Sequence, residues 1–373
     1  MPPEFPLTEG SIPSTAAVGA GPCVRPLVVR CGAFGDMVLL TAMIRELHAR
    51  LGQPVDVLTS GPWSEPLLAG QPGVGEILKV RSRKTPYWLA PDQRSVVRRL
   101  RERGAGPTWY CDDSPAARSM LERAGIAEPM IVDVRDHPLR DGEHATEQWR
   151  RLGAILPAGF RATARQAAGT AEAGCFLQVH AAQRADLERW LAARGLTGKP
   201  LILVQVGNKR TMRRGPRRLA VNHKYWPLER WAAVLRHLHA DCPEHRLLML
   251  GTGPEYGLNR ELADLARIDR LHNVADDLPI PRLIALLERG EALITVDSGP
   301  AHAAAAVGCP QIVLFGRALP SLYRPWGAAG APVTVVAGRV DGRPDMLGIE
   351  TRSVIDAWTA LRRRTSPRNA CGE

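Results

Sequence analysis

One pattern constrains this chain more than any other. A short β-rich apolar run, a glycine turn and an amphipathic helix follow one another, and the sequence returns to that order along most of its length. Leu27-Val-Val-Arg-Cys31 reads as a strand, Gly32-Ala-Phe-Gly35 as the turn, and a helix begins near Asp36. On that helix Leu40, Ile44, Leu47 and Leu51 recur at helical spacing and mark one buried face. Val55 to Thr59 is the next strand, and weaker units continue to about residue 155. Residues 157–174 are rich in Ala, Gly, Thr and Pro without periodicity and read as a linker. The alternation then restarts with Leu201–Val206, Leu247–Leu250, Ala292–Val296 and Gln311–Phe315 as strands, with helices between them. Trp231, Val234, Leu235 and Leu238 form the stripe of one such helix, with Pro227 suited to its first turn.

Strand–helix alternation implies parallel sheets, and 373 residues are enough for two domains. The expected fold is α/β, with two doubly wound halves. The expected division is a loose leader over residues 1–22, one domain over 23–170, a second over 171–350, and a terminal helix and tail over 351–373. The leader has no Lys or Arg and no apolar h-region, so it does not read as a signal peptide. No run approaches the ~18 uninterrupted apolar residues of a membrane-spanning helix. Seven scattered cysteines without C-x-x-C pairs suit a reducing cytoplasm better than a disulfide framework. Lys and Arg exceed Asp and Glu by 11, which suits an anionic partner without saying which.

In a doubly wound sheet ligands bind beyond the carboxyl ends of strands, so the strand-to-helix loops carry the chemistry. In Thr295-Val-Asp-Ser-Gly-Pro-Ala-His302, a buried strand ends at Asp297 and a small-residue helix follows. Its free N–H groups suit a phosphate; equally, Asp297 could cap the helix and His302 pack internally. Asp36, after the first strand, is either a dipole partner of its helix or a carboxylate able to take a proton from a hydroxyl. Lys224, just before a helix start, is either a phosphate contact or a solvated lysine. Leu250-Gly-Thr-Gly-Pro-Glu-Tyr-Gly257 approximates a dinucleotide turn, but Tyr256 stands where the third glycine belongs. Glu255 there suits ribose hydroxyls, or is an exposed first-turn acid. His239, Cys242 and His245 are spaced for a metal, but Pro243 breaks their shared face.

Taken together, Val29–Met37, Lys224-Tyr-Trp-Pro with Trp231, and Val296–His302 through Leu314-Phe-Gly316 resemble the family 9 glycosyltransferases. These are the bacterial ADP-heptose heptosyltransferases of lipopolysaccharide assembly. The resemblance implies a GT-B architecture: two Rossmann-like domains face each other across a cleft, the acceptor on the first and the nucleotide sugar on the second. It also implies that the terminal helix crosses back to the first domain. Asp36 then matches the catalytic base and Lys224 the lysine on the donor phosphates. Asp297 and His302 fall in the donor motif, with the Ser298, Gly299, Pro300 and Ala301 backbone next to the diphosphate. Glu255 would meet the ribose and Leu278 the adenine. Gly35 belongs to the acceptor-side turn. Lys79, Arg81, Arg83 and Lys84, followed by Tyr87 and Trp88, resemble the basic segment that holds the phosphates and carboxylates of a lipid-linked sugar, or else form a solubilising edge.

The resemblance thus implies an inverting single displacement with ADP-heptose as donor, no cofactor and no metal. The acceptor would be an anionic glycan or lipid-linked sugar, met in the cytoplasm or at the inner face of the inner membrane. Six of the ten residues from Lys209 to Arg218 are basic, a departure that reads as a solvated loop, a lid on the donor, or an acceptor contact. Two other classes compete. A nicotinamide-dependent oxidoreductase would use Gly251 and Gly253, against the missing third glycine. A nucleic-acid-binding protein would use the arginine clusters, but five Phe and five Tyr offer few stacking platforms. A third possibility keeps the fold and changes the sugar nucleotide or the acceptor.

Overall fold

The structure, a computed structural model, describes residues 25–161, 171–208 and 222–365. The leader, the basic segment 209–218 and the boundary placed at residue 170 lie outside the described residues, the last between Arg161 and Ala171.

The first domain is a five-stranded parallel sheet of β1 (Leu27–Val29), β2 (Val55–Ser60), β3 (Val74–Val80), β4 (Thr108–Tyr110) and β5 (Ile131–Asp133). Its order is β3-β2-β1-β4-β5. The second is a six-stranded parallel sheet of β6 (Leu201–Gln205), β7 (Arg246–Met249), β8 (Leu271–Asn273), β9 (Ala292–Val296), β10 (Gln311–Phe315) and β11 (Val333–Ala337). Its order is β11-β10-β9-β6-β7-β8. Helices cover both sheets. Accordingly β1, β6, β9 and β10 are buried at every position, as apolar runs between two helical layers must be. Chain order reverses direction between β1 and β4 in one sheet and between β6 and β9 in the other. These two switch points open a crevice at the strands' carboxyl ends.

The helix Phe34–Leu51 buries Met37, Leu40, Met43, Ile44, Leu47 and Leu51. It stops at Gly52, whose φ of 68° is left-handed and whose N–H donates to His48 O at 2.8 Å. Its apolar face packs on the helix Gly299–Ala306 of the second domain, where four successive alanines, Ala303 to Ala306, let the two backbones approach. One apolar cluster therefore runs from Met37, Leu40 and Leu47 through Val179 and Leu191 to Leu203, Ala303 and Ala304. Residues 171–179 are clamped from both sides. Phe176 N donates to Thr41 Oγ1 at 3.2 Å and Gln178 N to Gln71 Oε1 at 2.7 Å. On the other side Cys175 N donates to Trp326 O at 2.9 Å and Ala328 N to Cys175 O at 2.8 Å.

The terminal helix does not cross back as the resemblance implies. Val354, Trp358 and Leu361 lie in the second domain's core against the helix Leu228–Asp241, and Trp358 Nε1 donates to Asp241 Oδ2 at 2.9 Å. The whole apolar stripe of Thr351–Thr365 is used there, which leaves its polar face outward.

Candidate active site

The turn after β1 and the turn after β9 meet across the crevice. A Cβ placed on Gly35 would lie 3.3 Å from Gly299 Cα and 3.4 Å from His302 Cδ2. A Cβ on Gly299 would lie 2.5 Å from Phe34 Cδ1. Two glycines thus allow two helix starts, one from each domain, to come together, and both positive ends face the same space.

On the first-domain side, Asp36 divides its carboxylate. Oδ2 accepts the Ala33 N–H at 2.8 Å, while Oδ1 lies 3.5 Å from the Arg30 guanidinium and the side chain keeps 41 % exposure. One oxygen therefore makes the helix-start bond, and the other, beside Arg30, belongs to a side chain that is still partly exposed. Arg30 is fixed in turn: Nη1 donates to Cys111 O at 2.8 Å and the guanidinium stacks 5.4 Å from the Trp149 ring centre. Asp112, buried after β4, accepts the Cys31 N–H at 2.7 Å and the Arg83 Nη1–H at 2.9 Å. Arg83 is thereby fastened at the switch point beside the Asp36 turn. Arg81 and Lys84 are exposed; among the described residues only their backbone N–H groups are tied, to Asp92 and Ser82. Burial pushes the Cys31 thiol, beside these charges, up to about 11, which disfavours its thiolate.

On the second-domain side, Lys224 Nζ donates to Asp297 O at 2.9 Å and pairs with Asp297 Oδ2 at 2.5 Å. Among the described residues two of the ammonium's three donors are used. Asp297 does not cap the following helix; its carboxylate is committed to Lys224. Ser298 makes no side-chain cap either, its hydroxyl lying 3.2 Å from that of Thr295. The first-turn N–H groups at Gly299 and Ala301 are therefore without a capping side chain, while Pro300 has no N–H to satisfy.

His302 is buried in this junction, and its Nδ1 has no hydrogen-bond partner among the described residues. Burial holds it neutral, with its pKa pushed down to about 4; Asp297 and Asp36 oppose the shift, and Lys224 and His144 reinforce it. The charged groups of both domains thus surround one imidazole. His144 belongs to the same interface: its Nδ1 accepts the Thr146 N–H at 3.1 Å and its Nε2 lies 2.9 Å from Arg324 O, in the other domain. Those two bonds require the neutral Nε2–H tautomer, in agreement with a pKa lowered by burial.

Glu255 lies after β7, one strand from the switch point. It is 3 % exposed, and Oε2 accepts both Thr252 N–H and Thr252 Oγ1–H at 2.8 Å. Oε1 has no partner among the described residues and faces Gly207, where a Cβ would collide with it. Burial raises this carboxyl's pKa, and Thr252 opposes the rise. An unpaired buried carboxylate oxygen suits a hydroxyl donor. Leu278, after β8, is half-buried and packs with Ile280 and Leu283 on the core, so part of its side chain serves packing.

The structure therefore brings Gly35, Asp36, Lys224, Asp297, Ser298, Gly299, Pro300, Ala301 and His302 together and leaves Arg81 and Lys84 at the rim. Sequence reasoning gave no role to Arg30, Asp112 or His144. Arg30 stands inside the first motif, but the three-residue β4 that places Asp112 carries too little periodicity to be read.

Two Rossmann-like domains joined along such a crevice are the GT-B architecture. Residues 161–337 match the family model of glycosyltransferase family 9 (heptosyltransferase). A lipopolysaccharide heptosyltransferase 3 of Escherichia coli is 35 % identical over 106 residues, which are 28 % of this chain and 30 % of that protein. A lipopolysaccharide heptosyltransferase 2 of Salmonella typhimurium is 21 % identical over 328 residues, 84 % of this chain and 89 % of the relative. Among solved structures, the E. coli ADP-heptose LPS heptosyltransferase II superposes with a TM-score of 0.70 at 20 % identity, covering 92 % of this chain and all of that one. The last is a likeness of fold.

Proposed function

We propose that this chain is an inverting heptosyltransferase that moves heptose from ADP-heptose to a hydroxyl of an anionic glycan of the lipopolysaccharide-core type. The observation that carries the reading is the junction of Gly35 and Gly299, which sets a carboxylate from one domain opposite an uncapped helix start and an ammonium from the other. Asp36 Oδ1 would take the proton of the acceptor hydroxyl as that oxygen attacks the anomeric carbon from the face opposite the leaving group. The departing ADP gathers charge on its distal phosphate, where the remaining Lys224 donor and the Gly299 and Ala301 N–H groups would hold it. Glu255 Oε1 would accept from a ribose hydroxyl, and Arg83 would meet an acceptor anion beside the base.

On this reading Lys224 and the helix start neutralise the leaving group, so chelation by EDTA leaves the rate unchanged. The place of action is the cytoplasmic face of the inner membrane, where lipid-linked acceptors are presented. The test is a mass-spectrometric assay with ADP-heptose and other sugar nucleotides against candidate acceptors, using wild-type protein and Asp36→Asn. Heptose transfer by the wild type, reduced roughly 10²–10⁴-fold in the variant, is expected. Equal turnover by Asp36→Asn removes the base assignment, and transfer only from a different sugar nucleotide removes the donor assignment.

A further inference from the structure

Among the described residues, Trp88 and Leu89 are the two most exposed adjacent large apolar side chains, at 71 % and 56 %. They do not lie on a loose tip. Tyr87–Leu89 is a single 3₁₀ turn that runs directly into the helix Pro91–Arg103. Tyr87 packs inward on the first domain's outer core, with the Arg123 guanidinium 4.3 Å from its ring centre, and Ala90 is buried behind the turn. Arg94 Nη1 donates to the Tyr87 and Trp88 carbonyls. The buried Gln93 fixes the preceding loop, its Nε2 donating to Ser82 O at 2.8 Å and Thr85 O at 3.0 Å. The backbone under Trp88 and Leu89 is held on three sides while both side chains face water.

The surroundings are cationic. Arg81, Lys84 and Arg94 are exposed around the turn, and Arg98 lies one helical turn beyond Arg94 on the same face, with 73 % of its side chain exposed. Of the nearby acids, Asp92 accepts the Arg81 N–H, and Glu102 pairs with Arg98 and Arg99. An apolar pair with an indole, ringed by long basic side chains, matches a negatively charged bilayer surface: Trp sits at the headgroup level and the cations meet lipid phosphates. A protein partner would need an acidic apolar groove, whereas a bilayer supplies both features without shape complementarity.

We propose that the Tyr87–Leu89 turn is a membrane-docking platform that seats the first domain on an anionic phospholipid surface through Trp88 and Leu89. The platform adjoins Arg83 and Lys84, so a lipid-linked acceptor would enter the crevice from the surface on which the protein rests; this orientation rests on the acceptor reading above. The docking itself is tested without any acceptor, by flotation with vesicles of phosphatidylglycerol and phosphatidylethanolamine. Wild-type protein is expected to float with these vesicles, less as salt rises, and not with phosphatidylcholine alone. Trp88→Ser/Leu89→Ser is expected to lose about tenfold or more of that binding, and Trp88→Tyr, which keeps an amphipathic ring, to retain most of it. Both replaced side chains are exposed, and unchanged melting of the variants checks that they fold. Equal flotation of the double variant, no flotation of the wild type, or a dimer that the double variant dissolves would each overturn the proposal. Transfer to a delipidated soluble acceptor, measured separately, fails if the catalytic reading is wrong and is untouched if only the docking is wrong.

Discussion

Asp36 holds the start of its helix with one oxygen and is the proposed base with the other, and its two replacements separate the two roles. Asp36→Asn keeps an oxygen for the Ala33 N–H, so melting should stay near wild type while turnover collapses; Asp36→Ala also loses the cap, at about 1 kcal/mol. ADP binding, followed by calorimetric titration, should survive in both. Lys224 and Asp297 call for a double-mutant cycle. Lys224→Ala strands a buried carboxylate and removes the proposed phosphate contact, so both stability and ADP affinity should fall. Adding Asp297→Asn should recover much of the stability and none of the affinity; recovery of affinity would assign the lysine a purely structural role. Each of these residues is legible in the sequence because it stands next to a strand end and a helix start. Arg30 and Asp112 are not, because their roles come from partners roughly eighty positions away.

At the scale of the element, the short helix Gly299–Ala306 is the proposed donor side. Gly299→Ala would drive a methyl into Phe34, so the two helix starts must part. On the proposed function turnover should drop by more than ADP affinity, since the proposed donor elements lie within one domain and only their alignment with Asp36 is disturbed. The same helix buries His302 neutral, which links stability to pH. The folded-state pKa of about 4 lies below the ordinary 6.5, so the unfolded chain binds the proton first as pH falls. Stability from this group is complete above about pH 6.5 and drains away towards pH 4, by about 3 kcal/mol in all. His144 acts in the same direction. Denaturant titrations across that window should show a shallower slope for His302→Gln than for wild type; identical slopes would remove His302 from the effect. The terminal helix gives a further check. Truncation before Thr351 uncovers the faces that Trp358 and Leu361 cover and should unfold the second domain, not release the first.

Over the whole molecule, the apolar cluster shared by both domains and the clamped segment 171–179 predict one cooperative unfolding transition. Two resolved calorimetric peaks would show instead that the domains unfold independently. The sequence by itself determined the strand–helix alternation, hence parallel sheets and two Rossmann-like halves, and the loops on which Asp36, Lys224 and Asp297 stand. These are local properties: periodicity, glycine at a turn and a charge beside a helix start are all written within a few residues. Only the tertiary structure decided the strand order, and with it the two switch points that make a crevice. It also brought Gly35 against Gly299, Arg83 onto Asp112 and His144 onto Arg324. The terminal helix shows the same limit, since its apolar stripe fits either domain in sequence and only packing chose the second. The physical reason is that parallel pairing and interdomain contact join segments far apart along the chain. Their partners are selected by burial and shape in three dimensions, which no window of sequence contains.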